Sequence, residues 1–309
     1  KDLRHHLARQ HARFAAADSP LFEGEQGSQL RSRWLQSIYQ HIRFASDNYS
    51  RYSSADNHLI GEAAGVFVAA HTWDRWEETR RLRAQAKSIL EREAVRQFSA
   101  DGVNLEQATC YHKFTLQFLL AAGLCGRANG EDFSAAYWST IESALTFLAS
   151  LMDCRGQVPA IGDADDGEVW CLAHDSDFDS YRSLVAIGAA LFRRTDLSAK
   201  ARSSGVGNDG QLPWLGLGAP PLYGKGTAND LPRSFPQGGY IVVGEALDTP
   251  REFRVTFDCG ALGYNRIAGH GHADALAVLV SWEGDPLLVD AGTYCYNAAP
   301  EWRRFFRST

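Results

Sequence analysis

Two histidines and one aspartate stand at alternate positions in the last fifth of the chain. Residues 269–274 read G-H-G-H-A-D and are followed at once by the apolar run 275–280. Side chains alternate between the two faces of a strand, so a strand that begins early enough would direct His270, His272 and Asp274 to one face. Histidine suits proton transfer near neutral pH and also binds borderline metals. This segment therefore predicts a general base, a metal ligand and a carboxylate.

A further carboxylate, Asp290, ends the strand-like run 286–289. Two histidines and one carboxylate are a usual set of zinc ligands. His270, His272 and Asp290 are therefore the candidate metal ligands. The alternative is a plain hydrogen bond between His272 and Asp290 across neighbouring strands.

The segment D-N-H-L-I-G-E is predicted to open a helix, with Ser54 or Asp56 as its N-cap. Asn57 and His58 then lie in the first helical turn, where the helix dipole favours an anion. Glu62 follows one turn later and could orient the His58 ring. The alternative is a structural histidine–glutamate pair with the asparagine as a capping residue.

A second helix start, Q-A-T-C-Y-H at residues 107–112, places Tyr111 where its hydroxyl could face a cleft or the core. The acidic run 161–167 resembles part of a calcium loop but lacks the EF-hand pattern, so we expect a tight turn that shapes the cleft. Near the C-terminal end, Arg303 and Arg307 could hold a substrate carboxylate. A charged strand edge is the alternative for this last segment.

Apolar residues recur at helical spacing over most of the first 200 residues, whereas short Val- and Ile-rich runs follow residue 235. The fold class predicted is α followed by β, and residues 206–235, rich in Gly, Pro and Ser, are a linker. We expect a helical domain at 1–205 and the start of a β domain at 236–309. Because only about four strands are visible, we expect the chain to be a piece of a longer product.

The composition is that of an ordinary globular protein, with 45% hydrophobic and 22% charged residues. A net charge of -6 argues against general nucleic-acid binding, and no apolar run reaches the length of a membrane span. None of the six cysteines forms a C-x-x-C pair, so no zinc ribbon is indicated.

Taken in order, these motifs resemble the heparinase II/III-like family of polysaccharide lyases. The matching segments are N-H-L-I-x-E at 57–62, Y-H at 111–112, G-H-G-H-A-D at 269–274, L-L-V-D-x-G-T-Y at 287–294 and W-R-R-F-F-R-S-T at 302–309. The resemblance implies an (α/α) toroid, here incomplete, followed by an antiparallel β-sandwich that the chain end truncates. It also implies β-elimination of a uronic-acid polysaccharide, in the periplasm or outside the cell.

The resemblance implies a role for each candidate residue. Asn57 and His58 would neutralise the substrate carboxylate, Tyr111 would protonate the leaving oxygen, and His270 would be a base. The substrate-binding candidates are Glu62, Arg303 and Arg307. A divalent metal, zinc in a structural role, would be held by His272, Asp290 and a third ligand beyond Thr309.

Two other functions compete with the lyase. A glycoside hydrolase on a similar toroid needs two carboxylates across the cleft, and Glu62, Asp163 and Asp165 are available. A non-catalytic protein of the same fold would only bind acidic glycans or assist exopolysaccharide assembly. The candidate substrates are a heparan-like glycosaminoglycan, alginate and an acidic bacterial exopolysaccharide; the sequence leaves the oligomeric state open.

Overall fold

The computed structural model describes residues 20–165, 167–170, 172, 179–203, 211–221, 226–264, 267–271, 274–296 and 299–308. Helices occupy the first two thirds of the chain and an antiparallel sheet the last third. The described helices are α1 (Gly24–Asp47), α2 (Asn57–Thr72), α3 (Thr79–Arg96), α4 (Thr109–Ala128), α5 (Ala135–Leu151), α6 (Ser180–Phe192), α7 (Thr195–Ser203) and α8 (Pro300–Ser308).

The helices predicted from apolar spacing are present as α1 to α6. Local capping explains where two of them begin. The Asp56 side chain accepts a hydrogen bond from the His58 amide at 3.1 Å at the start of α2, which confirms Asp56 as the N-cap. Asp179 does the same for the Arg182 amide at 2.9 Å at the start of α6.

Five strands form one antiparallel meander in which each strand pairs with the next along the chain. They are β1 (Ser234–Phe235), β2 (Tyr240–Glu245), β3 (Phe253–Asp258), β4 (Val278–Trp282) and β5 (Asp285–Leu288). One sheet face is buried through Tyr240, Val242 and Leu279, which pack with Phe147 and Leu151 of α5. This apolar layer packs the sheet against α5.

The strand predicted from the apolar run 275–280 begins only at Val278. Leu276 has φ +67° and is exposed, and the Ala277 amide donates to the Asp274 carbonyl at 2.9 Å, so the chain turns before the strand starts. His270 also has a left-handed φ of +65°. The prediction that His270 and Asp274 share one strand face is therefore wrong, because both residues precede the strand.

The chain divides into two compact units. The first comprises Lys1–Ala94 and Phe118–Tyr137, and its core includes an edge-to-face contact between Phe67 and Phe133 with centroids 5.2 Å apart. The second comprises Val95–Gln117 and Trp138–Thr309, and it contains the whole sheet. The domain boundaries expected at residues 205 and 235 stay a prediction.

Among the described residues, no helix is both long enough and apolar enough to cross a bilayer.

Candidate active site

The rings of Tyr111 and His270 stack on each other in the second unit. Their centroids are 3.7 Å apart and the ring planes differ by 21°. Tyr111 lies in the first turn of α4 and is buried, while 19% of the His270 side chain is exposed. The structure thus brings together two candidate acid/base residues that the sequence placed far apart.

The Tyr111 hydroxyl group has two polar neighbours. It lies 3.2 Å from Oδ2 of Asp165 and 2.8 Å from the hydroxyl oxygen of Tyr296. Burial raises the pKa of Tyr111 well above its usual range. Burial likewise raises the pKa of Tyr296 to about 12. Both phenols therefore keep their protons at neutral pH.

The His270 ring lies between two carboxylates. Its Nε2 is 3.5 Å from Oε2 of Glu106, and its Nδ1 is 3.5 Å from Oδ2 of Asp163. Glu106 is fully buried and 5% of the Asp163 side chain is exposed. A ring in this position can pass a proton from either nitrogen and still have a carboxylate beside the other.

The acidic turn, defined as residues 161–165, connects the segments that carry Tyr111 and His270. The Asp163 amide donates to the His270 carbonyl at 2.9 Å, and the Thr109 amide of α4 donates to the Ile161 carbonyl at 3.0 Å. The turn also joins the segment after β5, because the Ala164 amide donates to Oγ1 of Thr293 at 2.8 Å. The acidic turn is thereby hydrogen-bonded to the start of α4, to the segment of His270 and to the segment after β5.

Gly162 allows this close approach. Its φ is +74°, and a Cβ built there would lie 2.7 Å from Cβ of Ala108 and 2.9 Å from the His270 carbonyl oxygen. Both the backbone conformation and the available space therefore favour glycine at this position.

Arg303 adds a cation beside the rings. Its guanidinium lies 4.7 Å from the centroid of the Tyr296 ring, and its Nη2 is 3.7 Å from Oδ2 of Asp163. The residue belongs to helix α8, so the alternative of a charged strand edge is wrong for this segment. Arg307 lies in the last turn of the same helix, and its side chain is outside the described part of the structure.

The Asn57 and His58 candidates belong to the first unit, at the start of α2. Asn57 is buried and His58 is exposed. Both carboxylate oxygens of Glu62 accept hydrogen bonds from Ser50, from its amide at 2.5 Å and from its hydroxyl at 2.6 Å. The described contacts of Glu62 thus go to Ser50 rather than to the His58 ring that the sequence suggested.

Of the two predicted metal ligands, Asp290 is described and His272 lies outside the described residues. Oδ1 of Asp290 accepts from the Gly292 amide at 2.6 Å and Oδ2 from the Gly162 amide at 3.3 Å. A carboxylate oxygen has two lone pairs, so an oxygen held by one N–H can also bind a metal. The Asp290 side chain therefore fits the predicted role, with its orientation set by backbone amides.

Two residues at the site were not singled out from the sequence: Glu106 and Tyr296. Glu106 comes just before α4, and its Oε2 reaches a ring that is far away in sequence. Tyr296 follows the matched G-T-Y segment by two residues. In the sequence, both residues were marked only by their proximity to a motif. Their contacts depend on the tertiary fold.

Two family models match this chain, one in its N-terminal part and one in its C-terminal part. The model described as Heparinase II/III N-terminus matches residues 9–183, and that described as Heparinase II/III-like, C-terminal, matches residues 227–309. The chain belongs to the heparinase II/III-like family. Tyr111 lies in the first matched region and His270 in the second.

The individual relatives compared with this chain share less than 30% of its sequence over the aligned residues. A heparin-sulfate lyase of Pedobacter heparinus is 29% identical over 133 residues, which are 42% of this chain and 20% of that protein. A solved heparinase III matches with a TM-score of 0.71 at 17% identity, over 99% of this chain and 45% of the other. A heparan sulfate lyase structure from Pedobacter heparinus matches with a TM-score of 0.62 at 18% identity, over 98% of this chain and 43% of the other.

These likenesses confirm the predicted fold class, with helices followed by antiparallel β structure. The chain spans less than half the length of these solved relatives.

Proposed function

We propose that this chain supplies acid/base residues of a polysaccharide lyase that cleaves a uronic-acid-containing polysaccharide by β-elimination. The observation that supports this most directly is the stacked pair of Tyr111 and His270, 3.7 Å between centroids, with the Tyr111 hydroxyl held by hydrogen bonds. An elimination needs one group that removes a proton and one that delivers a proton. The stacked pair offers one of each.

In the proposed reaction, a base removes the C5 proton of the uronic acid, and the electron pair forms the C4–C5 double bond. The C4–oxygen bond breaks, and the leaving oxygen takes a proton. His270 is the base in this proposal, because a ring nitrogen of imidazole can accept a proton and the partly exposed ring stacks on Tyr111. Tyr111 is the acid, since its raised pKa keeps the phenol protonated until the leaving oxygen draws the proton away.

The C5 proton is hard to remove while the neighbouring carboxylate is fully charged. Hydrogen bonds that neutralise this carboxylate would stabilise the enolate-like transition state. We assign this role to Asn57 and His58, from their chemistry and their position at a helix start. Substrate binding is proposed for Arg303, whose guanidinium lies beside the rings, and for Glu62 and Arg307.

A structural zinc ion is part of the proposal, held by His272, Asp290 and a third ligand. Such an ion would fix the loop after β5, which the Asp290 carboxylate already joins to the Gly162 amide. Metal analysis of the purified protein tests this directly. We expect about one zinc per chain by mass spectrometry and its loss in Asp290→Ala; equal metal content in both proteins would contradict the assignment.

The substrate proposed first is a heparan-like glycosaminoglycan, because relatives are named heparin-sulfate and heparan sulfate lyases. Alginate and an acidic bacterial exopolysaccharide are the other uronic-acid candidates. A periplasmic or secreted location is part of the same proposal, since these polymers lie outside the cytoplasm.

A panel of uronic-acid polysaccharides tests the proposal. The unsaturated product absorbs in the ultraviolet, whereas a hydrolase product contains no double bond. We expect Tyr111→Phe and His270→Ala to lower product formation by about 100-fold or more. Tyr52→Phe and His41→Ala are matched controls, because both positions are exposed and lie outside the site. Full activity in both site variants would show that the assignment is wrong.

A further inference from the structure

The acidic turn carries a carboxylate that the proposed reaction does not use. Asp163 and Asp165 stand at alternate positions in this turn. Asp163 faces the His270 ring at 3.5 Å, while Asp165 contacts the Tyr111 hydroxyl at 3.2 Å. Each candidate acid/base residue thus has a carboxylate from the same short segment.

We infer that Asp165 is a positioning residue for Tyr111: its carboxylate accepts the phenolic hydrogen bond and fixes where the Tyr111 proton lies. The inference rests on the proposed role of Tyr111 as the acid. It gives the acidic turn a specific task, where the sequence indicated only a tight turn near the cleft.

The direction of the hydrogen bonds follows from the groups present. A carboxylate can only accept, so Tyr111 donates its single hydroxyl proton to Oδ2 of Asp165. The 2.8 Å contact between the two hydroxyl oxygens then requires Tyr296 to donate to Tyr111. The resulting chain runs from Tyr296 through Tyr111 to Asp165, and it leaves the Tyr111 proton with one defined direction.

Asp165 is itself held in place, although its side chain is exposed. Its Oδ1 accepts from the Gly167 amide at 2.9 Å, which leaves Oδ2 aimed at the phenol. Its carbonyl oxygen lies 3.3 Å from Sγ of Cys110, the residue that precedes Tyr111 in α4. A group fixed at both its side chain and its backbone can hold a hydroxyl in one orientation.

The arrangement has a consequence for the proton transfer. When the C4–oxygen bond breaks, the Tyr111 proton leaves its hydrogen bond to Asp165 and moves to the leaving oxygen, while the hydrogen bond from Tyr296 remains and stabilises the phenolate. Because Asp165 is exposed, solvent that reaches this residue can return the proton in the proposed cycle. The Asp165 carboxylate also contributes to the raised pKa of Tyr111, after burial.

The test compares Asp165→Asn with Tyr111→Phe on two substrates, using the complete protein. One substrate is the polysaccharide, and the other is a uronide whose C4 oxygen carries a nitrophenyl group, which leaves without a proton. On the polysaccharide we expect kcat of Asp165→Asn to fall by about 10–100-fold with KM unchanged. On the nitrophenyl substrate we expect both variants to be close to wild type, because the acid is no longer needed.

Two comparisons decide the outcome. The double variant should be no slower than Tyr111→Phe, since Asp165 acts only through Tyr111. Asp285→Asn is the matched control, because it removes an exposed carboxylate whose partner is Arg155. A wild-type kcat in Asp165→Asn, or an equal loss on both substrates, would overturn the inference alone. Wild-type activity in Tyr111→Phe would overturn the proposed function as well.

Discussion

Two clusters of charged groups in the second unit differ in how their members are paired. One is the buried ion cluster, defined as Lys200, Arg233, Asp248, Glu252 and Arg254. Lys200 is fully buried and donates to Asp248 and to the carbonyl oxygens of Met152 and Asp153, the latter two at 2.5 and 3.0 Å. Arg254 lies 2.9 Å from Glu252 and 3.2 Å from Asp248. Each of these charges has an opposite charge at hydrogen-bond distance.

The other cluster surrounds Tyr111 and His270, and its ionic contacts are longer. His270 is 3.5 Å from each flanking carboxylate, and Arg303 is 3.7 Å from Asp163. The backbone of His270 has a positive φ, and part of its ring is exposed. Charges at these distances interact without being locked together, which leaves room for a substrate to take over the contacts.

The comparison shows that burial and charge alone do not identify a functional site. The buried ion cluster is the more buried of the two, yet its geometry serves to join α7, the end of α5 and the β2–β3 connection. The candidate active site differs from the buried ion cluster by long contacts, unusual backbone angles and partial exposure, found together around groups that can transfer protons.

The largest effect is expected in the buried ion cluster. Asp248→Ala would leave Lys200 and Arg254 buried without this partner, which costs about 3–5 kcal/mol of unfolding free energy. Denaturant titration at neutral pH measures this loss. Asp285→Ala removes the exposed pair with Arg155, which solvent screens, and should change the free energy of unfolding far less. Similar losses in the two variants would contradict the distinction between the buried cluster and the surface pair.

The fold was predictable to the extent that local pattern determines it. Helical spacing and the Asp56 cap predicted α2, and the Val- and Ile-rich runs after residue 235 predicted strands in the region where β2 and β3 lie. The start of β4 was misplaced because the apolar run 275–280 continues through a turn, where burial and backbone angle rather than composition decide. A run of apolar letters does not show where its backbone turns.

The residues of the candidate site were predictable only where they belong to a sequence motif. Tyr111 and His270 stood out in their segments, and Arg303 stood out as a cation. Glu106 and Tyr296 did not, because an isolated glutamate or tyrosine has no pattern until folding brings it to a partner. Long-range contacts of this kind depend on tertiary packing rather than on spacing.

The second largest effect concerns His112, which follows Tyr111 but belongs to the packed framework. Its Nε2 lies 3.1 Å from the Ala144 carbonyl, and burial lowers the pKa of His112 to about 4. The unfolded chain binds this proton at about pH 6.5 and the folded protein does not, so stability falls as pH drops from about 6.5 to 4. The expected loss is about 3 kcal/mol.

His112→Gln keeps a donor and an acceptor at this position but does not titrate. Unfolding measured between pH 4 and 7 should therefore depend less steeply on pH in the variant, even if its stability at pH 7 is lower. If the variant kept the same pH dependence of unfolding, His112 would not be the source of that dependence. The assignment of His112 to the packed framework, beside Tyr111 of the candidate site, would then be wrong.

A smaller effect on stability, but a clear one on activity, is expected at Gly162. Alanine there would be strained by the φ of +74° and would press on Ala108 and the His270 carbonyl. We expect about 1–3 kcal/mol of destabilisation together with at least a tenfold loss of kcat, because the ring pair would shift. Gly130→Ala is a control with φ +74° and nothing near the added Cβ. It should lose stability but keep its activity, so a matching loss of kcat in both variants would remove the link to the ring pair.

The smallest effect on stability is expected at Arg303, and it distinguishes the site most sharply from the buried ion cluster. Arg303→Lys keeps the charge but loses the planar guanidinium over Tyr296, at a cost of about 1 kcal/mol or less. If the guanidinium also binds substrate, KM should rise severalfold while kcat stays near wild type, since uniform binding is lost rather than transition-state stabilisation. Steady-state kinetics on the active polysaccharide measure both quantities. A fall in unfolding free energy comparable to that of Asp248→Ala, without any change in KM, would place Arg303 with the structural ions instead.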